Sequence, residues 1–145
     1  MPQVRRMGVP QPTPETKPFW DAAKRGELWI KRCKDCGQYH YYPRVVCPNC
    51  FSRNVEWVKS SGKGSLYTYN INVRTAPGWE NNPNYIIAMV SLEEGPRITS
   101  NLVGIPFDQD PVKMAQHIQI GMPVEVTFEE LSEEISVPRF KPAGS

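Results

Sequence analysis

Every cysteine of this 145-residue chain falls between Cys33 and Cys50, in the stretch CKDCGQYHYYPRVVCPNC. Two Cys-x-x-Cys pairs, Cys33 with Cys36 and Cys47 with Cys50, stand ten residues apart. A borderline-soft divalent ion in a tetrahedral site takes four thiolates, and each Cys-x-x-Cys turn delivers two of them from one tight knuckle. The double spacing therefore predicts structural zinc held by Cys33, Cys36, Cys47 and Cys50. Rubredoxin-type iron and a pair of disulfides are the alternatives. Nothing else in the chain suggests secretion, and a lone dithiol redox site would not need the second pair. A filled four-thiolate site has no open position and does no chemistry, so it leaves no vacancy for His40 or Asp35 inside the segment. Gly37 follows the first pair, where the turn favours a positive φ, and Pro48 stiffens the second. Phe51 stands at the place equivalent to Gly37, so the two turns are expected to differ.

The length suits one medium domain, or a small metal module joined to a barrel. With 39% hydrophobic and 22% charged residues the chain reads as an ordinary globular protein, and its 15 prolines favour turns and extended segments over long helices. Net charge is only +2, but residues 1–60 hold 11 Lys/Arg against 5 Asp/Glu, and residues 61–145 hold 6 against 10. An anionic partner is therefore expected on the half that carries the metal. The first thirty residues contain no apolar run of signal-peptide length, and prolines at 2, 10, 12, 14 and 18 interrupt them. No stretch approaches a membrane span, and a cytoplasmic location is expected.

Taken in order, residues 1–15 read as an extended, proline-rich arm, residues 16–60 as a helix and metal ribbon, and residues 61–145 as a β-barrel. Thr16 is placed to cap a short helix that Gly26 ends, with Phe19, Ala22 and Ala23 as its apolar stripe and Trp20 at the edge. So short a helix is unstable alone and must dock on the body or on a partner. Leu28–Ile30, Tyr39–Tyr42 and Val55–Val58 read as ribbon strands. Leu66–Arg74 alternates, with Leu66, Thr68, Asn70 and Asn72 on one side and Tyr67, Tyr69, Ile71 and Val73 on the other. Strands follow at Tyr85–Leu92 and Arg97–Val103, then a helix from Asp110 to Gln119 with apolar Val112, Met114, Ala115 and Ile118, then strands at Val124–Leu131 and Ile135–Phe140. Three strands, a helix and two strands are the layout of a five-stranded OB-fold barrel.

Catalytic machinery is hard to assemble from these residues. There are two histidines, His40 and His117, no G-x-S-x-G elbow, and SGKGS at 61–65 lacks the spacing of a phosphate loop. The acidic run Glu129, Glu130, Glu133 and Glu134 reads as a solvated strand edge. Two ligand classes stay open. Tyr67, Tyr69, Trp79 and Tyr85 suit stacked nucleobases, which makes a single-stranded nucleic-acid-binding OB-fold protein the alternative, although the barrel half is acidic. The other class is an acyl-CoA, whose phosphates would meet the cations between Lys17 and Arg44.

The segments FWDAAKRGELWIKRCKDCG, YYPRVVCPNC, GSLYTYNINVR, IIAMVSLEEGPRITSNLVG, GMPVEVTFEEL and PRFKP together resemble the zinc-ribbon plus OB-fold proteins associated with acyl-CoA metabolism. The resemblance runs from about Pro18 to Pro142. It implies a small, non-catalytic, zinc-binding partner of a thiolase-fold enzyme: archaeal acetyl-CoA C-acetyltransferases and hydroxymethylglutaryl-CoA synthases, acyl-transfer enzymes of aromatic metabolism, or aldolase-type thiolase relatives that cleave steroid side chains. The catalytic subunit carries the nucleophilic cysteine, and the small subunit docks it and lines its CoA channel. On this chain the four cysteines match the metal ligands and no catalytic residue carries over. Lys31 and Arg44 are assigned to a CoA phosphate, and Phe19 and Trp20 to the partner. Phe51 departs from the family, which often has glycine there.

Overall fold

The computed structural model describes residues 9–75 and 83–144. It is mainly β, with a short N-terminal helix, a three-stranded ribbon and a closed five-stranded barrel.

Helix α1, Lys17–Lys24, buries the expected stripe of Phe19, Ala22 and Ala23. It ends as a Schellman turn: Gly26 takes φ 80°, its N–H bonds to the Ala23 carbonyl at 3.0 Å, and the Glu27 N–H reaches the Ala22 carbonyl at 2.9 Å. Thr16 sits at the N-cap position without capping, because its hydroxyl accepts the Thr13 N–H at 2.9 Å instead. That bond fixes the arm, not the helix. Two turns cannot hold themselves in water, and α1 rests on the ribbon and the last barrel strand.

The ribbon strands are β1, Trp29–Cys33; β2, Tyr39–His40; and β3, Val55–Lys59, in the order β2-β1-β3. The strand expected over Tyr39–Tyr42 keeps only its first two residues. Pro43, fully buried, has no N–H for a ladder, and the chain turns away before it.

The barrel consists of β4, Lys63–Asn72; β5, Tyr85–Leu92; β6, Arg97–Leu102; β7, Pro123–Glu130; and β8, Ser136–Pro142. They close in the order β4-β5-β6-β8-β7, with β7 returning to β4 and a parallel contact of Leu102 with Phe140 between β6 and β8. This is the OB-fold connectivity. The simple alternation expected along β4 fails at one residue. Leu66 pairs with Val90 and Thr68 with the adjacent Met89, so Tyr67 is bulged out of the ladder. The bulge switches the phase: Leu66 faces the core with Tyr69 and Ile71, and Thr68 and Asn70 face outward.

Gly64 marks where β4 is squeezed between β5 and β7. A Cβ there would lie 2.3 Å from the Ser91 carbonyl oxygen and 2.9 Å from Val90 Cγ1. The SGKGS stretch thus serves close backbone approach.

Helix α2, Pro111–Ala115, lies between β6 and β7, where the OB layout puts it, and Asp110 caps it by accepting the Val112 N–H at 2.9 Å. It is shorter than the expected Asp110–Gln119. Past Ala115 the bonds tighten to the third residue back, His117 to Met114 at 3.0 Å and Ile118 to Ala115 at 3.1 Å. Met114 and Ile118 are buried and Val112 is exposed.

Ribbon and barrel share one core, in which Phe19, Leu28 and Ile30 join Leu66, Val90, Ile98 and Phe140. The joint is also held by polar groups. Ser60 Oγ and the Ser61 N–H both donate to the Glu94 carboxylate at 2.9 Å, and Ser61 Oγ donates to Glu93 at 2.7 Å. Lys24 of α1 reaches Glu130 of β7 at 3.7 Å, so part of the acidic run pairs across elements. Among the described residues no helix is long and apolar enough to cross a membrane.

Candidate metal centre

The two knuckles are built alike. The Cys33 N–H bonds to the Gln38 carbonyl at 2.9 Å and the Gly37 N–H to the Cys33 carbonyl at 2.9 Å; the Cys47 N–H bonds to Ser52 at 2.8 Å and the Phe51 N–H to the Cys47 carbonyl at 2.9 Å. Phe51 takes φ 65°, matching Gly37 at 79°. The expectation that the turns would differ is therefore corrected. The knuckle's hydrogen bonds impose the left-handed conformation whatever the side chain, and the Phe51 ring is left 77% exposed.

The four Sγ atoms lie within 4.8 Å of one another, with Cys33 to Cys50 at 3.6 Å and Cys36 to Cys47 at 3.7 Å. Tetrahedral zinc with bonds of about 2.3 Å spaces its sulfurs about 3.8 Å apart. The donor set therefore fits zinc, and all four cysteines are free thiols. Backbone N–H groups turn toward the sulfurs, Cys36 to Cys33 Sγ at 3.5 Å and Asn49 to Cys47 Sγ at 3.4 Å. Without a cation the four groups do not ionise alike. Hydrogen bonds from the Gln38 backbone and then the Asn49 side chain lower the Cys36 thiol to about 6. Against the pull of the Ser52 backbone, desolvation and the other three sulfurs push Cys50 up to about 12. Zinc would neutralise that crowding and hold all four as thiolates.

Asp35 takes no part in the metal site. It accepts hydrogen bonds from Ser52 and Asn54, in that order the causes that hold its carboxyl below the usual range, and so ties the two knuckles together.

Lys31 and Arg44 differ in their surroundings. Lys31 is 8% exposed, with Nζ 4.4 Å from the centroid of the Trp57 ring, and burial lowers its pKa against the opposing effect of Glu15. Arg44 is exposed, its guanidinium 5.5 Å from the Tyr42 ring centroid. Phe19 is 2% exposed and belongs to the core; its ring stacks edge-on against Trp20 with centroids 4.9 Å apart. Trp20, half-buried, lines a groove of about 710 Å³ between the arm, α1 and the turn at Ser132–Ile135. Tyr67 and Tyr69 have different surroundings. Tyr67 lies on the bulge under Arg97, 3.9 Å from its ring centroid, and Tyr69 packs on the core. Trp79 lies outside the described residues.

Sequence reasoning missed Glu15 and the environment of His40. The Glu15 carboxylate accepts the Val45 N–H at 2.9 Å, a bond between residues thirty apart. His40 is buried, and neither ring nitrogen has a partner in bonding geometry, although the Arg44 backbone lies beside it. Burial, then the charges of Lys31 and Arg44, hold it below the usual imidazole range. The one available signal was His40 in a strand whose neighbours are tyrosines.

Two family descriptions divide the chain between them. The rubredoxin-like zinc ribbon domain of ChsH2 matches residues 20–56, and the ChsH2 C-terminal OB-fold domain matches residues 57–129. The chain belongs to the ChsH2-type zinc-ribbon and OB-fold family. Within it, a DUF35 domain-containing scaffold protein of Methanocaldococcus jannaschii is 40% identical over 105 residues, 71% of this chain and 68% of that one. A probable enoyl-CoA hydratase alpha subunit of Thermomonospora curvata is 37% identical over 127 residues, and this chain spans only 37% of its length. The benzoylsuccinyl-CoA thiolase subunit BbsA of Thauera aromatica is 33% identical over 75 residues, about half of each chain (52% and 51%). Among solved structures, an Ltp2-ChsH2(DUF35) aldolase chain superposes with TM-score 0.77 at 33% identity, covering 92% of this chain and 98% of that one.

Proposed function

We propose that this chain is a non-catalytic, zinc-stabilised accessory subunit of a thiolase-type acyl-CoA enzyme. It docks the catalytic subunit and lines its CoA channel. The observation that carries the reading is the joint match of ribbon and barrel to ChsH2 domains, together with relatives described as a scaffold protein and as subunits of acyl-CoA enzymes. The reaction served is formation or cleavage of a C–C bond next to a thioester, carried out by the partner's own nucleophile. The working location is the cytoplasm, where reduced thiolates persist.

Each proposed contact has a physical role. Zinc on Cys33, Cys36, Cys47 and Cys50 holds the ribbon as a rigid platform. Trp20 enters the partner from the rim of its groove, with Phe19 bracing it from behind. Lys31 and Arg44 face the CoA phosphates. The residue boundaries 1–15, 16–60 and 61–145 correspond to the arm, the docking platform and the barrel.

Affinity capture of the tagged chain from its native extract tests the reading. The expected result is a stoichiometric thiolase-fold subunit, with thiolysis of an acyl-CoA by the complex. Trp20→Ala should weaken co-elution without loss of bound zinc, and Arg44→Ala should raise KM for the CoA substrate. Recovery of single-stranded nucleic acid, with binding that falls steeply as salt rises, would overturn the proposal.

A further inference from the structure

The face of the ribbon that carries Lys31 is more elaborate than one cation for one phosphate requires. In the β1–β2 ladder Lys31 stands opposite His40, and in the β1–β3 ladder it stands opposite Trp57, so all three side chains share one face. Lys31 and His40 are each only 8% exposed. Among the described residues no carboxylate lies within 4.0 Å of the Lys31 ammonium, and both imidazole nitrogens lack a partner. Burying an imidazole with both nitrogens unpaired is costly unless something completes it. Arg44 adds a third donor from the loop that follows β2, close enough for its charge to act on His40.

One anion already leans on this cluster. Glu15 of the arm is held by the Val45 N–H at 2.9 Å, next to Arg44. It lies beside the cluster without completing it, since the His40 nitrogens stay unpaired. The preceding residue, Pro14, is part of the wall of an adjoining cleft of about 390 Å³, which Trp29, Trp57, Lys17 and Arg25 also line. Trp57 is thus common to the cleft and to the Lys31 face. A cleft walled by two indoles suits a flat heteroaromatic ring, and two cations, Lys31 and Arg44, with the neutral His40 imidazole as a hydrogen-bond donor, suit a phosphate beside it.

We propose that Lys31, His40 and Arg44 form a phosphate site which Glu15 closes in the free chain, and that the Trp29–Trp57 cleft beside it takes the base of a nucleotide. Binding then displaces the Glu15 carboxylate and frees the arm, so ligand capture and arm position are linked. This rests on the assignment of Lys31 and Arg44 to a CoA phosphate made above. It adds His40, the Glu15 closure and the base-binding cleft.

The test is calorimetric titration of the zinc-loaded full chain with adenosine 3′,5′-bisphosphate, with inorganic phosphate and adenosine run separately. The bisphosphate should bind, and Glu15→Gln should tighten it about tenfold by removing a competing charge. That gain cannot come from misfolding. Lys31→Met and His40→Leu should each weaken binding about tenfold with zinc content unchanged. Binding weakened by Arg44→Ala but indifferent to Glu15→Gln and His40→Leu would overturn the closed site and leave the simpler phosphate role of Lys31 and Arg44 standing. Inorganic phosphate binding as tightly as the nucleotide would overturn the base cleft. Absence of bisphosphate binding to both wild type and Glu15→Gln would overturn the site altogether. The partner-subunit reading would still be judged separately, by co-purification.

Discussion

Phe51 shows how a single residue can carry a cost that the surrounding turn enforces. An L-residue at φ 65° crowds its Cβ against the backbone, and here the ring finds no packing in return, being 77% exposed. Phe51→Gly should therefore stabilise the zinc-loaded chain by about 1 kcal/mol, part of the relief being offset by the greater freedom of glycine when unfolded. Chemical denaturation followed by ribbon tryptophan fluorescence would read it, and a loss of stability would contradict the strain argument.

At the scale of elements, ribbon and barrel owe their order to different forces. The barrel strands close on themselves around Leu66, Ala88, Val90, Ile98, Val124 and Phe140, and need no metal to do so. The ribbon has a two-residue strand, and two loops pinned chiefly at their cysteines. Stripping zinc should accordingly release the amides of residues 33–55 to fast exchange, while those of β5 and β7 stay protected. Hydrogen exchange with and without chelator provides the comparison. Simultaneous loss of protection in the barrel would mean that the two units fold as one cooperative block. The bulge at Tyr67 belongs to this scale too: one extra residue reverses which half of β4 faces inward, and no count of alternating residues announces it.

For the whole molecule, the question is what keeps ribbon and barrel in a fixed relation. Phe19, Leu28 and Ile30 extend the barrel core into the ribbon, and Glu94 gathers Ser60 Oγ and the Ser61 N–H at 2.9 Å each. Glu94→Ala leaves those donors unpaired at the joint and should cost about 1–2 kcal/mol, read as a lower Tm with the zinc content unchanged. An unaltered Tm would show that the shared core holds the joint alone. The four ligands, the ribbon ahead of the barrel, the short helices and the OB order of strands were all legible along the chain. They rest on local rules: cysteine spacing, apolar period, and proline and glycine at helix ends. Local rules failed where a residue answers to something distant. Phe51 adopts the glycine conformation because hydrogen bonds of its knuckle demand it, Thr16 gives its hydroxyl to the arm, and α2 gives way to a tighter turn after Ala115. The sequence by itself determined the metal donors and the class of fold, since both depend on residue type and spacing along the chain. Only the tertiary structure could set Lys31 opposite both His40 and Trp57 and bring Glu15 to the Val45 N–H, because these meetings depend on strand register and on where the arm crosses, and neither leaves a periodic mark in sequence.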